Sequence, residues 1–227
     1  MTRLTRRGAL GLGVAGLGAA ACTTTAGETA AANAKGAFLH GVASGDPLPD
    51  GVVLWTRLAP RPLEVGGGMK AEPVEVAWQI AEDEGMARVV QSGTATARPE
   101  WSHSVHVEVS GLRPGRWYWY RFKVGSEVSP KGRTRTAPDP TERNTRMRVA
   151  LASCQHYETG YYTVHREIAA SDVDLVLFVG DYIYGTQAKP YLRVRRHPHV
   201  MPDLHRRTLA DYRQHYAAYK LDPDLRA

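Results

Sequence analysis

Cysteine is scarce in this chain of 227 residues, which contains Cys22 and Cys154 and no others. Because the first lies in an N-terminal leader, the processed chain has no pair to oxidise, which excludes the disulfide-stabilised class of small secreted domains. A lone thiol in an oxidising compartment is oxidised unless it is buried or bound to a metal. This scarcity favours a ligand role for Cys154, although a buried structural cysteine is the more usual fate of a single thiol.

A long hydrophobic run is also missing from the sequence. Residues 10–21 are weakly apolar and rich in glycine, and they are too few to span the roughly 30 Å of a bilayer core. The paired Arg6 and Arg7 before them are typical of a twin-arginine signal, with an ordinary secretory signal as the alternative. We expect cleavage either before Cys22, which would then carry a lipid anchor, or after Ala34. The twin-arginine machinery would deliver the chain to a periplasmic, extracellular or lipid-anchored cell-surface location.

Excess charge is small once the leader is set aside. The formal net charge is +6, and Arg3, Arg6 and Arg7 of the leader contribute three of these charges. The processed chain is therefore only mildly basic, and it offers no case for a nucleic-acid-binding role.

Short alternating runs dominate residues 38–135 and predict a β-sandwich. The predicted strands are Leu39–Ala43, Val52–Arg57, Val74–Ala81, Val89–Ala95, Ser104–Val109, Trp117–Val124 and Lys131–Arg135. In the strand 117–124, alternate residues starting from Tyr118 are expected to face the core. The segment from Leu112 to Tyr118 resembles the tyrosine corner of fibronectin type III modules. Residues 137–140 are typical of a stiff linker to a second domain.

Residues 175–185 are the most informative segment of the chain. The five apolar residues 175–179 predict a strand buried on both faces, as in a parallel sheet. Gly180 ends this strand, and Asp181 follows where the backbone leaves the sheet, at the edge where α/β proteins bind ligands. The carboxylate of Asp181 and the phenol of Tyr184 suit a hard, highly charged metal ion. The alternative is a strand whose Asp181 only caps the next turn.

An earlier strand, residues 147–154, ends on Cys154. Residues 161–171 between the two strands have helical spacing. One stripe of this predicted helix comprises Tyr161, Val164, Ile168 and Ala169. Strand, helix and strand form a right-handed crossover, which brings both strand ends to one edge of the sheet. Cys154 and Asp181 are therefore expected to face a single site.

These residues resemble a known family. Ala152-Ser153-Cys154-Gln155 followed by Gly180-Asp181-Tyr182-Ile183-Tyr184 is similar to the metal-binding core of the PhoD-type alkaline phosphatases. These are exported phosphodiesterases and phosphomonoesterases of the metallophosphoesterase superfamily. Residues 40–57 and 209–225 resemble further segments of the same family, in the same order. The Gly-Asp-x-x-Tyr pattern also resembles that of purple acid phosphatases, but Cys154 stands where that family has an aspartate.

The resemblance implies a two-domain fold. A fibronectin-III-like β-sandwich would be followed by the first part of an α/β metallophosphoesterase domain. The expected divisions are a signal peptide and tether at 1–34, the β-sandwich at 35–138 and the catalytic domain at 145–227. The family's later Asp-Asp-His-Glu and Gly-Asp-x-His segments do not occur in these residues. We therefore expect the catalytic domain to be incomplete here and the chain to be inactive alone.

The resemblance also implies the cofactors, Fe3+ and Ca2+. Cys154, Asp181 and Tyr184 would be metal ligands, with Asp181 bridging two cations, while no other catalytic or substrate-binding side chain is identified. A metal-bound water or oxide would attack the phosphorus of a phosphodiester or phosphomonoester substrate, as in other two-ion sites. A purple-acid-type phosphatase and a non-enzymatic cell-surface β-sandwich module remain the alternatives.

The region 189–207 is basic and rich in histidine. We expect either a cationic loop that attracts anionic phosphate esters or a solvated loop that covers the sheet edge. Pro198 between His197 and His199 argues against a paired metal site, because it favours an extended backbone. Residues 203–218 are then predicted to form a helix. Its predicted buried stripe comprises Leu204, Leu209, Tyr212 and Tyr216.

Overall fold

The computed structural model describes residues 36–143 and 146–227. The expected leader, both expected cleavage sites and Cys22 lie outside these residues. Within the described ranges, no helix has both the length and the apolar character needed to cross a membrane.

The first part of the chain forms two antiparallel sheets. Its strands are β1 (Val42–Leu48), β2 (Gly51–Arg57), β3 (Val74–Ala81), β4 (Val89–Ala97), β5 (Ser104–Val109), β6 (Trp117–Val124), β7 (Glu127–Val128) and β8 (Gly132–Arg135). One sheet has the order β1-β2-β5, and the other has the order β4-β3-β6-β7 with β8 also paired to β6. Short 3-10 helices, Val65–Gly68 and Pro99–Trp101, lie in the connections. The two sheets share one core and form a sandwich.

The first predicted strand, 39–43, is wrong in its position. Residues 36–40 form turns, and β1 begins at Val42. The amide of Gly41 donates a hydrogen bond to the carbonyl of Phe38 over 2.9 Å. Gly41 has a φ of 70°, a conformation that glycine adopts without strain. The apolar residues before Gly41 therefore pack from a turn and not from a strand.

The core of the sandwich follows the predicted alternation along β6. Tyr118, Tyr120, Phe122 and Val124 are all buried, whereas the residues between them are half-buried. They pack with inward-facing residues of the other strands, such as Leu54, Val76, Ile80 and Val107. Burial of this set removes apolar surface from water and gives this part of the chain its own core.

The tyrosine corner predicted from residues 112–118 is present as a hydrogen bond. The hydroxyl of Tyr118 accepts from the backbone amide of Arg113 over 2.9 Å. The buried hydroxyl of Thr136 donates to the carbonyl of Arg113 over 2.7 Å and accepts from the amide of Arg116 over 3.0 Å. These two hydroxyls satisfy the backbone of a turn that has no strand partner of its own.

The second part of the chain contains one parallel strand pair and three helices. Its elements are β9 (Val149–Ala152), α1 (Thr163–Ala170), β10 (Leu175–Phe178), α2 (Leu209–Lys220) and α3 (Pro223–Arg226), with 3-10 helices at Pro190–Leu192 and Leu204–Arg206. Strands β9 and β10 pair in parallel, with Val149 opposite Leu175 and Ala152 opposite Phe178. The strand–helix–strand order predicted for this region is confirmed.

The predicted burial of β10 on both faces is wrong. Val176 and Leu177 are each 44% exposed, and Val179 is 62% exposed. Strand β10 pairs with β9 alone among the described residues, and these side chains remain open to solvent. The helix predicted over 161–171 is present as α1 from Thr163, so Tyr161 precedes it. Along the predicted stripe, Tyr161, Val164 and Ala169 are exposed and Ile168 is half-buried.

The predicted start and buried face of α2 are also wrong. The helix begins at Leu209, because Thr208 and Asp211 form a reciprocal capping box. Leu204, Leu209, Tyr212 and Tyr216 are exposed, whereas the buried face consists of His215, Ala217, Ala218 and Tyr219. The buried face therefore combines two alanines with His215 and Tyr219, whose polar atoms contact the loops that follow β9 and β10.

Polar contacts join the two parts of the chain. Arg135 of β8 forms an ion pair with Asp174 before β10. The side-chain amide of Gln214 on α2 donates to the carbonyl of Leu63 over 2.8 Å. The guanidinium of Arg226 donates to the carbonyl of Leu39 over 2.7 Å. Helix α2 and the sandwich thus face each other across a defined junction.

We predict that Tyr118→Phe lowers the free energy of unfolding by about 1–2 kcal/mol, because the amide of Arg113 loses its hydrogen-bond acceptor. Urea unfolding followed by fluorescence measures this change. The control is Tyr191→Phe, since the Tyr191 ring is 76% exposed. Equal unfolding midpoints for the two variants would contradict a stabilising role for the corner.

Candidate functional site

The candidate site lies at the carboxyl ends of β9 and β10. The parallel register brings both strands to one edge. Beyond the strands, the amide of Cys154 donates to the carbonyl of Gly180 over 3.2 Å, and the amide of Gln155 donates to the carbonyl of Asp181 over 3.2 Å. These two bonds continue the pairing past the strand ends and fix the two loops against each other.

The structure brings together the three side chains that the sequence singles out. The thiol sulfur of Cys154 lies 3.6 Å from Oδ2 of Asp181. The hydroxyl of Tyr184 donates to the same Oδ2 over 3.0 Å. Cys154 is exposed, so it is not a buried structural cysteine. The three groups meet at one carboxylate oxygen that solvent can reach.

The backbone at this edge adopts an uncommon conformation. Cys154 has a φ of 56° and Asp181 has a φ of 51°. Residues with a side chain seldom adopt positive φ, and such strain is concentrated at functional sites. Here the left-handed turns direct both side chains toward the same point beyond the sheet edge. A role limited to capping the next turn does not explain why Cys154 is strained in the same way as Asp181.

The pKa of the Tyr184 phenol is raised above its usual value. The causes are desolvation, the hydrogen bond to Asp181 and the proximity of Cys154. A carboxylate and a thiol next to a phenol oppose its ionisation, whereas a strongly Lewis-acidic cation favours it. The donor set is therefore suited to a cation and is electrostatically unfavourable as three anions alone.

Helix α2 holds Tyr184 by its backbone. The hydroxyl of Tyr219 accepts from the amide of Tyr184 over 3.1 Å and from the amide of Tyr157 over 3.4 Å. On the other side of the residue, Nε2 of His215 lies 2.7 Å from the carbonyl of Tyr184. The ring of His156 lies against the phenol, with 4.8 Å between ring centroids. Tyr184 is thus fixed at its amide, its carbonyl and its ring.

Sequence reasoning missed His215 and Tyr219. They lie four residues apart, which places them on one helix face, and the signal that reveals this face is the capping box at Thr208 and Asp211. The capping box sets the first residue of the helix at 209. Leu204 then lies outside the helix, so it cannot belong to the predicted buried stripe with Leu209, Tyr212 and Tyr216.

Neither expectation for the basic region describes its innermost residues. Arg195 forms an ion pair with Asp222 over 2.6 Å and lies 3.8 Å from the centroid of the Tyr157 ring. His197 is buried and stacks on His215 with 3.8 Å between centroids. Burial and the charge of His215 lower the pKa of His197 to about 3, so the ring is neutral near neutral pH. Arg195 and His197 therefore support the loop and do not offer free charge to a substrate.

The residues present fit part of a metal site. Among the described residues, no group of three or more His, Cys, Asp and Glu side chains lies close enough to hold an ion. The site supplies two side chains of these types, Cys154 and Asp181, and adds the phenol of Tyr184. A thiolate, a carboxylate and a phenolate are chemically suitable for a hard, Lewis-acidic cation.

Two family models match this chain. "PhoD-like phosphatase, N-terminal domain" matches residues 22–138, and "PhoD-like phosphatase" matches residues 149–227. The chain is 48% identical over 190 residues to alkaline phosphatase D of Bacillus subtilis (strain 168). The aligned region covers 84% of this chain and 32% of that protein. The chain thus spans about a third of the length of this relative.

Solved structures give the same relationship. The structure of PhoD matches with a TM-score of 0.78 and 48% identity, covering 83% of this chain and 36% of that chain. A solution structure of a fibronectin type III domain, derived from human KIAA0970 protein, matches with a TM-score of 0.37 and 14% identity, covering 57% of this chain and 96% of that one. The second match is too weak to support a relationship to fibronectin modules.

We predict that Tyr219→Phe lowers the free energy of unfolding by roughly 1–3 kcal/mol, because the amides of Tyr157 and Tyr184 lose their shared acceptor. Hydrogen exchange at the Tyr184 amide should accelerate at the same time. Urea unfolding and amide exchange measure the two effects. The control is Tyr212→Phe on the same helix, whose ring is 41% exposed. Unchanged exchange at Tyr184 in Tyr219→Phe would contradict the positioning role.

Proposed function

Because this chain belongs to the PhoD-like phosphatase family, we propose that the protein is a metal-dependent alkaline phosphatase. Its substrates in this proposal are phosphodiesters and phosphomonoesters. Cys154, Asp181 and Tyr184 contribute ligands to its metal centre. The observation that supports the proposal is the convergence of these side chains on one oxygen of Asp181, within 3.6 Å for Cys154 and 3.0 Å for Tyr184.

We propose Fe3+ and Ca2+ as the cations of this centre. When bound, they supply the Lewis acidity that activates water and neutralises charge on the phosphoryl group. Cys154 and Tyr184 would hold the more Lewis-acidic cation, since a thiolate and a phenolate both place negative charge on it. Asp181 would contribute its carboxylate to the same centre. His215 and Tyr219 keep the Tyr184 loop in position, which is how outer residues tune a metal site.

The substrate reaches these ligands from solvent. Cys154 and Asp181 are exposed, and Tyr184 is half-buried. An ester held at this edge of the sheet therefore has direct access to the strand ends. This is the edge where ligands bind in open α/β sheets.

We further propose export through the twin-arginine machinery. The support is the paired Arg6 and Arg7 before a short, weakly apolar run. A lipid anchor at Cys22 and cleavage after Ala34 are the two forms that this proposal allows. Mass spectrometry of the processed protein distinguishes them by the N-terminal residue.

The proposed centre predicts a coloured protein. A phenolate and a thiolate on ferric iron give charge-transfer absorption, so the purified full-length protein, which includes the segments expected to complete the catalytic domain, should absorb in the visible range. Tyr184→Phe should shift or remove this band, and Asp181→Asn should reduce hydrolysis of a chromogenic phosphodiester by about 100-fold or more. Visible spectra, metal analysis and initial rates are measured on the same preparations.

The matched control is Tyr161→Phe, which removes a phenol whose ring is 65% exposed and which contributes no ligand in this proposal. It should keep both the band and the rate. A colourless, metal-free protein that hydrolyses phosphodiesters at the full rate would contradict the assignment of the three ligands.

A further inference from the structure

A cleft of about 490 Å³ lies between the β-sandwich and helix α2. Its size is that of a site for a small molecule. The sandwich contributes β2, β5 and the turn between β4 and β5, and the other wall is formed by Ile183 and one side of α2. The cleft contains none of the three side chains at the ends of β9 and β10.

The charge in this cleft has one sign. Arg57, Arg213 and Lys220 line it, and none of the described residues that line it is Asp or Glu. Within residues 36–143 and 146–227, no carboxylate forms a salt bridge with any of the three cations. Cations removed from water without a counter-charge are unfavourable. The cleft therefore attracts a ligand that brings negative charge.

Burial affects these cations directly. The guanidinium of Arg57 is held by the carbonyl of Ser102 over 2.9 Å and by its hydroxyl over 2.7 Å. The pKa of Arg57 falls to about 10 because the group is buried and Arg213 is nearby. Burial also lowers the pKa of Lys220, whose ammonium lies 5.2 Å from the ring centroids of Trp55 and Tyr182. With a pKa of about 10, Arg57 remains charged at neutral pH.

His40 adds an unsatisfied polar group to the same wall. The residue is 97% buried, since 3% is exposed, and neither ring nitrogen makes a hydrogen bond of normal geometry among the described residues; the backbone of Ala217 lies close by and opposes the lowering of its pKa. Burial, together with the charges of Arg57, Lys220 and Arg226, lowers the pKa of His40 to about 3. The neutral ring offers one donor and one acceptor. A buried polar group without a partner is rare and indicates a missing one.

Aromatic rings supply the remaining surface. Trp101 is 68% exposed, and Tyr212 and Tyr216 are about 40% exposed at the rim of the cleft, opposite Trp55. Large aromatic side chains that remain exposed around a concave site commonly mark a binding surface. A flat ring can stack on them while a negative group reaches the cations.

We propose that this cleft binds a dianionic phosphate ester or phosphonate that carries a flat ring. The anion lies between Arg57, Arg213 and Lys220, with a hydrogen bond from His40, and the ring lies against Trp101 and Tyr212. This assignment does not depend on the proposed function, because none of its residues belongs to the strand-end site.

The test uses phenylphosphonate as the probe and methylphosphonate as its counterpart without a ring. Binding to the mature protein is measured by calorimetry and tryptophan fluorescence in the presence of EDTA, which removes bound cations from the strand-end site. Phenylphosphonate should bind saturably and at least about tenfold more tightly than methylphosphonate, since stacking on an aromatic side chain adds to the charge interaction.

Two variants locate the binding site. Lys220→Met and Arg213→Gln should each weaken phenylphosphonate binding by about tenfold or more, because each removes one charge-assisted contact. Arg88→Gln is the matched control, since Arg88 pairs with Asp83 on the sandwich surface. Asp181→Asn should bind phenylphosphonate as tightly as the unmodified protein. Circular dichroism and thermal unfolding verify the fold of each variant, and Arg213→Gln keeps the test valid if Lys220→Met does not fold.

Four results overturn the proposal. The first is the absence of saturable binding by phenylphosphonate. The second is unchanged binding in a folded Lys220→Met or Arg213→Gln protein. The third is loss of binding in Asp181→Asn, which assigns the anion to the strand-end site. Equal affinity for the two phosphonates removes the aromatic half of the proposal and overturns it as stated.

Discussion

The parallel pairing of β9 with β10 is the constraint on which the candidate site depends. Parallel strands end at one edge, so a short motif after each strand is sufficient to bring Cys154 and Asp181 together across 27 residues of sequence. The backbone bonds from Cys154 to Gly180 and from Gln155 to Asp181 extend this pairing into the loops. An antiparallel pair would place the two motifs at opposite ends of the sheet, and no choice of side chains would then restore the site.

The loop after β10 needs a second support, and helix α2 provides it. The end of β10 at Phe178 does not by itself fix a residue six positions farther along, yet Tyr184 is held at its amide by Tyr219 and at its carbonyl by His215. These contacts explain why α2 buries His215 and Tyr219 beside two alanines, while Leu209 and Tyr212 are exposed. The buried face of this helix thus combines apolar contacts with the hydrogen bonds that hold the loop.

Local patterns predicted what depends on local chemistry. The alternation in β6, the tyrosine corner at Tyr118 and the convergence of Cys154 with Asp181 all follow from short-range spacing and from the crossover rule. The buried stripe of α2 was not predicted, because the spacing of apolar residues reflects hydropathy alone. It could not show that the amides of Tyr157 and Tyr184 donate hydrogen bonds to the hydroxyl of Tyr219. The exposure of β10 was missed because a run of apolar residues indicates a tendency to be buried. It does not show which neighbouring elements are present to bury it. The ion pair of Arg195 with Asp222 joins segments that are distant in sequence. The composition of the basic region could not reveal this pair, so its arginines were predicted to be unpaired.

The strand-end site and the cleft lie on different faces of α2 and its adjacent loop, and the two sites favour ligands of opposite charge. Ile183 lines the cleft, and its neighbour Tyr184 belongs to the strand-end site. On one side, a thiol, a carboxylate and a phenol ionise favourably when a cation is present. On the other side, Arg57, Arg213 and Lys220 are stabilised when an anion is present.

Because α2 carries His215 and Tyr219 on the first face and Arg213 and Lys220 on the second, a shift of this helix changes both sites together. If the proposed ligands occupy both, each restrains the same rigid element, and such sharing is the physical condition for coupling between two binding sites.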